Sequence, residues 1–291
     1  MNPQFGVIDI GSNSVRLMLG GWEKDRVLSL GKTLCSTRLA SGIDRTGELA
    51  QDRIEATADA IKSYRAQTDA LGIPVLAYAT SAVRDAKNRD AFVACIREQT
   101  GTDVLVLSGE EEGNYAFSAV TGGEGTVFDI GGGSFQVVTR ERAVSFPCGC
   151  VRAKAVCDAT DPKTLERELF AWIDGRAQLA APVPQPVYGV GGTITSIGAL
   201  LAGQTEYDGR HLCEITLPAL DALLKTLSRV PEAERLRHPV LTEKRGDIIL
   251  QGMTILRYMM VRTGAVRVIP SDRDGMEGIA EALAFGKNPA D

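Results

Sequence analysis

The sequence predicts an α/β protein built from two lobes. Two observations carry this reading. Apolar strand patterns alternate with helical ones along the chain, which calls for sheets layered with helices. The opening device also returns in mid-chain: an apolar strand, a turn headed by an aspartate, and a second apolar strand. Val7, Asp9, Ile10, Gly11 and Ser14 align with Val127, Asp129, Ile130, Gly131 and Ser134.

In the first lobe, residues 5–10 are apolar, 11–13 form a turn and 15–20 are apolar again. A third strand is predicted over 26–35. A helix follows over 48–65, with Ile54, Ala58 and Ile61 on one face. Residues 74–79 read as a buried strand, 82–99 as helix, 104–107 as a short strand and 110–120 as helix. Thr121-Gly122-Gly123-Glu124-Gly125 is polar, rich in glycine and follows a helix. The lobe boundary and a hinge are placed there, giving lobes of residues 1–121 and 122–291.

The second lobe continues with a strand over 143–147 and a helix over 162–176. Asp161 suits the N-cap of that helix, Pro162 its first turn, and Leu165, Leu169, Trp172 and Ile173 its buried face. A loop at 182–186 leads to a strand over 187–190 and a helix over 193–201. Further helices are predicted at 217–227 and 243–262, a last strand at 266–269 and a last helix at 275–285. That last helix is free to pack back on the first lobe.

The 291 residues are 44% hydrophobic, enough for a sizeable core without disulfides or metals. A net charge of −5 argues against a general nucleic-acid binder. The six cysteines are scattered through predicted strands and helices, which points to reduced thiols. A strand beginning near Phe5 leaves no room for a signal peptide, and no apolar run approaches the roughly 18 residues of a membrane span. The expectation is a cytoplasmic protein without nucleic-acid or membrane partners.

Asp9-Ile10-Gly11-Ser12-Asn13-Ser14 places a carboxylate at a strand end before a turn of small residues. Glycine permits close approach of a ligand, and consecutive N–H groups form an anion nest. Ser12, Asn13 and Ser14 can donate to phosphate oxygens. A carboxylate beside a phosphate calls for a bridging cation or water, and Mg²⁺ accepts one or two carboxylates plus phosphates. Asp9 and Asp129 are therefore the candidate metal ligands. Asp129-Ile130-Gly131-Gly132-Gly133-Ser134 repeats the pattern. One such turn is as readily an ordinary hairpin; two copies favour phosphate binding.

Gly189-Val190-Gly191-Gly192-Thr193 is a third glycine turn. It suits either an anion at a helix N-terminus or close helix packing. Glu110, Glu111 and Glu112 open a helix, where carboxylates complement the helix dipole; one of them can also serve as a general base. Arg84, with Lys87 and Arg89, forms either a surface charge cluster or a phosphate clamp. No complete P-loop, dinucleotide fingerprint or serine-hydrolase elbow is present. Cys148-x-Cys150 and His211-x-Cys213 lack the spacing of a zinc finger.

The sequence resembles the exopolyphosphatase / guanosine pentaphosphate phosphohydrolase family of the acetate-kinase, sugar-kinase, Hsp70 and actin superfamily. The resemblance rests on the two aspartate turns, Ala79-Thr80-Ser81-Ala82-Val83-Arg84, Ser108-Gly109-Glu110-Glu111-Glu112, Gly149-Cys150-Val151-Arg152, Gly189-Val190-Gly191-Gly192-Thr193 and Ser271-Asp272…Gly275…Glu277-Gly278. These pieces run in order through the chain, at the length of the short two-domain form.

The resemblance implies two ribonuclease-H-like, actin-like ATPase lobes, each a mixed sheet flanked by helices, with the site in an interlobe cleft. It implies release of terminal phosphate from inorganic polyphosphate or guanosine pentaphosphate, with Mg²⁺ or another divalent cation. By position, Glu112 matches the glutamate that activates water, with Glu111 as the alternative. Asp9 and Asp129 match the carboxylates that organise metal and water, and Arg84 matches the phosphate-binding arginine. Ser12, Asn13, Ser14, Gly131, Gly132, Gly133, Ser134, Gly191, Gly192 and Thr193 match phosphate-loop elements.

Two positions depart from the family pattern: Gln136 stands where a glutamate is common, and Met276 where an arginine commonly precedes Glu277. They motivate a non-catalytic or weakly active polyphosphate- or alarmone-binding protein as an alternative. An ATP-dependent phosphotransferase of the same superfamily is another. A short form is also compatible with a homodimer that lengthens the substrate groove.

Overall fold

The computed structural model describes residues 1–24, 26–241 and 245–285. The chain separates into two compact units. One comprises residues 1–115 and 275–291, the other residues 116–274.

In the first unit, β1 (Phe5–Ile10), β2 (Val15–Glu23) and β3 (Arg26–Cys35) form an antiparallel meander. Two small helices, α1 (Ile43–Thr46) and α3 (Ser81–Arg84), and two longer ones, α2 (Gln51–Ala70) and α4 (Arg89–Thr100), accompany β4 (Val75–Ala79) and β5 (Val104–Val106). β4 joins β1 in parallel and β5 joins β4 in parallel, so the sheet order is β3-β2-β1-β4-β5. The last five positions of β1 are all buried, as expected for a central strand covered on both faces.

The helix predicted over 82–99 is interrupted. Asn88 bonds Leu49 with both ends of its amide, receiving Leu49 N–H at 2.9 Å and donating to its carbonyl at 3.0 Å. This long-range contact holds Asn88, the N-cap of α4, between the two helices.

Helix α5 (Gly109–Thr121) contains the division between the units, which falls between Tyr115 and Ala116. The sequence placed it at residues 121–125, where glycines punctuate the chain. Packing decides otherwise: Ala116 and Phe117 join a cluster with Val127, Val138 and Val190 of the second unit.

The second unit repeats the plan. β6 (Thr126–Ile130), β7 (Phe135–Thr139) and β8 (Ala143–Phe146) form the meander. Helices α6 (Cys150–Val156) and α7 (Pro162–Asp174) lead to β9 (Val187–Val190), which joins β6 in parallel. Then come α8 (Gly192–Leu201), β10 (Ile215–Thr216), α9 (Leu217–Leu227), α10 (Glu232–Arg235), a 3₁₀ turn at Arg245–Asp247, α11 (Ile249–Thr263) and β11 (Arg267–Pro270). The sheet order is β10-β11-β9-β6-β7-β8. Both units thus contain a three-stranded meander extended by two parallel strands, and the second sheet is one strand larger.

Asp161 accepts Thr164 N–H at 2.9 Å and starts α7. The helix predicted from residue 243 begins as α11 at Ile249; residues 243 and 244 lie outside the described residues. Helix α6 has no counterpart among the elements predicted from sequence, and it proves central to the site.

The last helix, α12 (Gly275–Phe285), belongs to the first unit. Met276, Ile279 and Ala280 enter a core with Val7, Met18, Tyr78 and Leu107. Lys32 meets Glu277 at 2.9 Å, and Val27 N–H donates to Glu281 at 2.9 Å. A side chain at Gly278 would overlap the Tyr115 carbonyl at 1.9 Å, so only glycine lets α12 cross α5 this closely. Met276 is fully buried, so its departure from the family pattern falls in a core position of this chain. Among the described residues, no helix is long and apolar enough to cross a membrane.

Candidate active site

In the first unit the β1–β2 turn closes with Gly11 N–H donating to Ser14 O at 3.0 Å. Two loop amides brace it: Arg38 N–H donates to Asn13 O at 2.8 Å, and Ala40 N–H to Ser12 O at 2.9 Å. In a trans peptide the N–H points opposite the C=O. The amides of Asn13 and Ser14 therefore face away from the brace, as an anion nest requires.

Asp9 lies opposite Arg16 in the β1–β2 register, so the two side chains share a sheet face. Arg16 Nε and Nη2 both donate to Asp9 Oδ2, at 2.9 and 2.5 Å.

The acidic run resolves into three environments. Glu110 is exposed. Glu111 forms a capping box: Ser108 N–H donates to Glu111 Oε2 at 2.8 Å, and Glu111 N–H to Ser108 Oγ at 3.1 Å. Glu112 instead meets Arg84, whose Nη1 donates to Glu112 Oε2 at 3.2 Å and to the Leu107 carbonyl at 3.1 Å. Both side chains are about one-fifth exposed, accessible to a ligand yet partly shielded from bulk water. The structure thus brings Arg84 and Glu112 together and commits Glu111 to holding the helix end.

In the second unit Gly131 N–H donates to Ser134 O at 2.9 Å, closing the same hairpin. Here the brace is the start of α6. Cys150 N–H donates to Gly131 O at 3.0 Å, and Val151 N–H to Gly132 O at 2.8 Å. The amides of Gly132 and Gly133 are thereby directed away from α6. A Cβ on Gly149 would lie 2.4 Å from Gly132 O and from Ser134 N, so the contact demands glycine. In the sequence, Gly149-Cys150-Val151-Arg152 stands out only through the family resemblance, with no role of its own.

The third glycine turn lies against the second. Gly191 has φ +87°, and a Cβ there would come within 2.9 Å of Asp129 Oδ1 and 2.7 Å of Ile130 O. The Arg245 guanidinium lies over Gly192, so a Cβ there would require that side chain to shift. Thr193, expected to bind phosphate, is buried and pairs with Cys150 Sγ at 3.3 Å. Its hydroxyl thus lies next to the cysteine whose amide and thiol meet the Gly131 carbonyl. Burial pushes the Cys150 thiol's pKa up, against the pull of its Thr193 hydrogen bond, and keeps it protonated near neutral pH.

Asp129 lies opposite Gln136 across β6–β7, the position that Arg16 takes opposite Asp9. Gln136 is buried, and its Oε1 has no hydrogen-bond partner among the described residues. A buried orphan oxygen beside a carboxylate suits a hard cation. No group of three or more His, Cys, Asp or Glu among the described residues is arranged to hold a metal. Mg²⁺ needs fewer protein ligands when phosphates complete its shell, so Asp129 and Gln136 fit it. Asp9 fits less well, because Arg16 already occupies its Oδ2.

A cavity of about 600 Å³ opens elsewhere in the second unit, between α7, α9 and α11. None of the predicted site residues lines it. Its Arg257 is held by Glu166 and Asp221, at 2.7 and 2.8 Å.

Residues 7–280 match the profile of the Ppx/GppA phosphatase family. The chain belongs to the Ppx/GppA phosphatase family. It is 30% identical over 311 residues to exopolyphosphatase 2 of Mycobacterium tuberculosis, covering 95% of this chain and 97% of that one. The solved PPX-GPPA enzyme of Aquifex aeolicus is 30% identical and superposes with a TM-score of 0.77 over 96% of this chain and 98% of the other. An exopolyphosphatase from Cytophaga hutchinsonii, 22% identical, matches the fold with a TM-score of 0.80 over 98% and 99% of the two chains. The two mixed sheets flanked by helices are the lobes of this family's actin-like fold, and a phosphohydrolase activity goes with membership.

Proposed function

We propose that this chain releases terminal phosphate from inorganic polyphosphate, with Glu112 as the base that deprotonates water. The observation that carries the reading is the Arg84–Glu112 contact, which sets a carboxylate beside a guanidinium fork suited to phosphate. Arg84 Nη1 contacts both Glu112 and Leu107, while its Nε lies 3.6 Å from Asp85 Oδ1. A phosphate oxygen competes with Glu112 for this cation. Once Arg84 engages the phosphate, Glu112 loses its counter-charge and becomes more basic. Water deprotonated there attacks the terminal phosphorus, and the phosphoanhydride bond to the rest of the chain breaks.

In each unit the turn supplies fixed donors suited to phosphate charge, the amides of Asn13 and Ser14 in the first and of Gly132 and Gly133 in the second. Asp129 and Gln136 would hold Mg²⁺, which when bound neutralises phosphate charge. The relative named exopolyphosphatase 2 supports polyphosphate as the substrate.

The test compares phosphate release from polyphosphate and from guanosine pentaphosphate, by the parent and by Glu112→Gln. Loss of the base is expected to lower kcat by about 10²–10⁴-fold. Undiminished release would sink the role of Glu112. Preference for guanosine pentaphosphate would reassign the substrate. Tight polyphosphate binding without turnover would make the chain a binding protein, the outcome that Gln136 in place of a carboxylate favours.

A further inference from the structure

The carbonyl of Gly131 accepts two hydrogen bonds from one residue. Cys150 N–H reaches it at 3.0 Å, and Cys150 Sγ lies 3.0 Å from the same oxygen. A thiol has one proton, so when it donates to Gly131 its sulfur is an acceptor. Thr193 Oγ1 lies 3.3 Å from that sulfur. The proton directions that satisfy all three groups run from the Thr193 hydroxyl to Cys150 sulfur, and from the thiol to the Gly131 carbonyl.

We propose that Cys150 is a positioning residue for the second phosphate turn: its thiol, backed by Thr193, locks the Gly131–Gly132 peptide so that the Gly132 amide is presented to a phosphate oxygen. The inference rests on the phosphate-binding reading above and adds a residue that touches no substrate. Three features support it. Both acceptor positions of the Gly131 carbonyl are filled, so the peptide plane cannot rotate without breaking two bonds. Polarising that carbonyl strengthens its peptide N–H as a donor. Burial disfavours the thiolate and keeps the proton on sulfur.

Thr193 is itself held from behind. A Cβ added at Gly252 of α11 would meet its methyl at 2.6 Å, so α11 packs hard against it. The link thus runs from a buried helix through two side chains to the phosphate turn. It also explains a cysteine that is neither disulfide-bonded nor exposed.

The test uses the full chain with Cys150→Ala, Cys150→Ser, Thr193→Val and the Cys150→Ala/Thr193→Val double variant. Each is measured for tripolyphosphate Kd, for kcat and KM on polyphosphate, and for thermal midpoint. Cys150→Ala is expected to raise Kd and KM about tenfold, as loss of a well-placed donor does. Cys150→Ser keeps an O–H in the same place and should stay within about threefold of the parent. Thr193→Val should weaken binding, and the double variant should bind no worse than Cys150→Ala, because two links of one chain are not additive.

Cys150→Ala within about twofold of the parent would overturn the proposal, since a lost donor costs more than that. So would serine as poor as alanine in a folded protein, or additive losses in the double variant. If Cys150→Ala does not fold, the serine and valine variants decide through the same ratios. A parent that binds tripolyphosphate but releases no phosphate defeats the hydrolase reading alone, and the comparison stays readable in Kd. A parent that binds no tripolyphosphate defeats both.

Discussion

The two aspartate turns share a backbone and differ in everything that holds them. Each closes with the first glycine donating to the serine three residues on, at 3.0 Å in the first unit and 2.9 Å in the second. Each has two carbonyls pinned from outside so that two amides face the other way. In the first unit the pins are two loop amides, from Arg38 and Ala40; in the second they are the opening amides of α6. The cross-strand partner of the aspartate changes from Arg16 to Gln136. The first turn therefore carries its own counter-charge, whereas the second keeps a buried Gln136 oxygen without a hydrogen-bond partner among the described residues. The first hairpin sets a cationic side chain across from its aspartate, and the second sets a neutral amide there.

The sharpest way to break this comparison is a methyl group at each turn. Gly149→Ala forces a Cβ to within 2.4 Å of two backbone atoms of the second turn. A displacement near ~1 Å is expected there, and kcat/KM should fall by about 100-fold. Gly11→Ala meets only Ser14 O, at 3.0 Å. It should cost about tenfold or less. Equal effects in a steady-state assay would show that the close approach of Gly149 to the second turn does not matter for its geometry.

Gln136→Glu sharpens the electrostatic half of the comparison. A carboxylate opposite Asp129 should lower the Mg²⁺ concentration for half-maximal activity by about tenfold. A metal titration of parent and variant reads this directly. An unchanged midpoint would place the cation elsewhere. The smallest expected effect separates the neighbouring glutamates of the first unit. Glu111→Ala removes half of the capping box and should cost about 1 kcal/mol in denaturant unfolding. Its kcat should stay within about twofold of the parent, in contrast to Glu112→Gln.

Much of the site was legible because phosphate turns are local. Glycine, serine and a strand-end aspartate within a short window specify a hairpin with inward amides, and its recurrence at Asp129 exposed the second copy. Aligning those copies also pairs Arg16 with Gln136, so the sequence itself carried a signal of the counter-charge beside Asp9. The three consecutive glutamates were not separable that way. Their roles depend on Ser108 turning back to Glu111 and on Arg84, from an earlier helix, reaching Glu112. Thr193 takes a phosphate-loop role only from the family resemblance, and no local pattern reveals that its hydroxyl lies against a cysteine distant in sequence.

The sequence by itself determined the alternation of strand and helix, the repeat of the aspartate turn and the residues that populate it, since these follow from periodicity and backbone freedom over short windows. Tertiary structure alone decided where the units divide within α5, that α12 returns to the first unit, and which elements brace each turn. Those outcomes depend on contacts between residues far apart in the chain, such as Gly278 with Tyr115 and Cys150 with Thr193. No local pattern encodes which distant partner fills the remaining space.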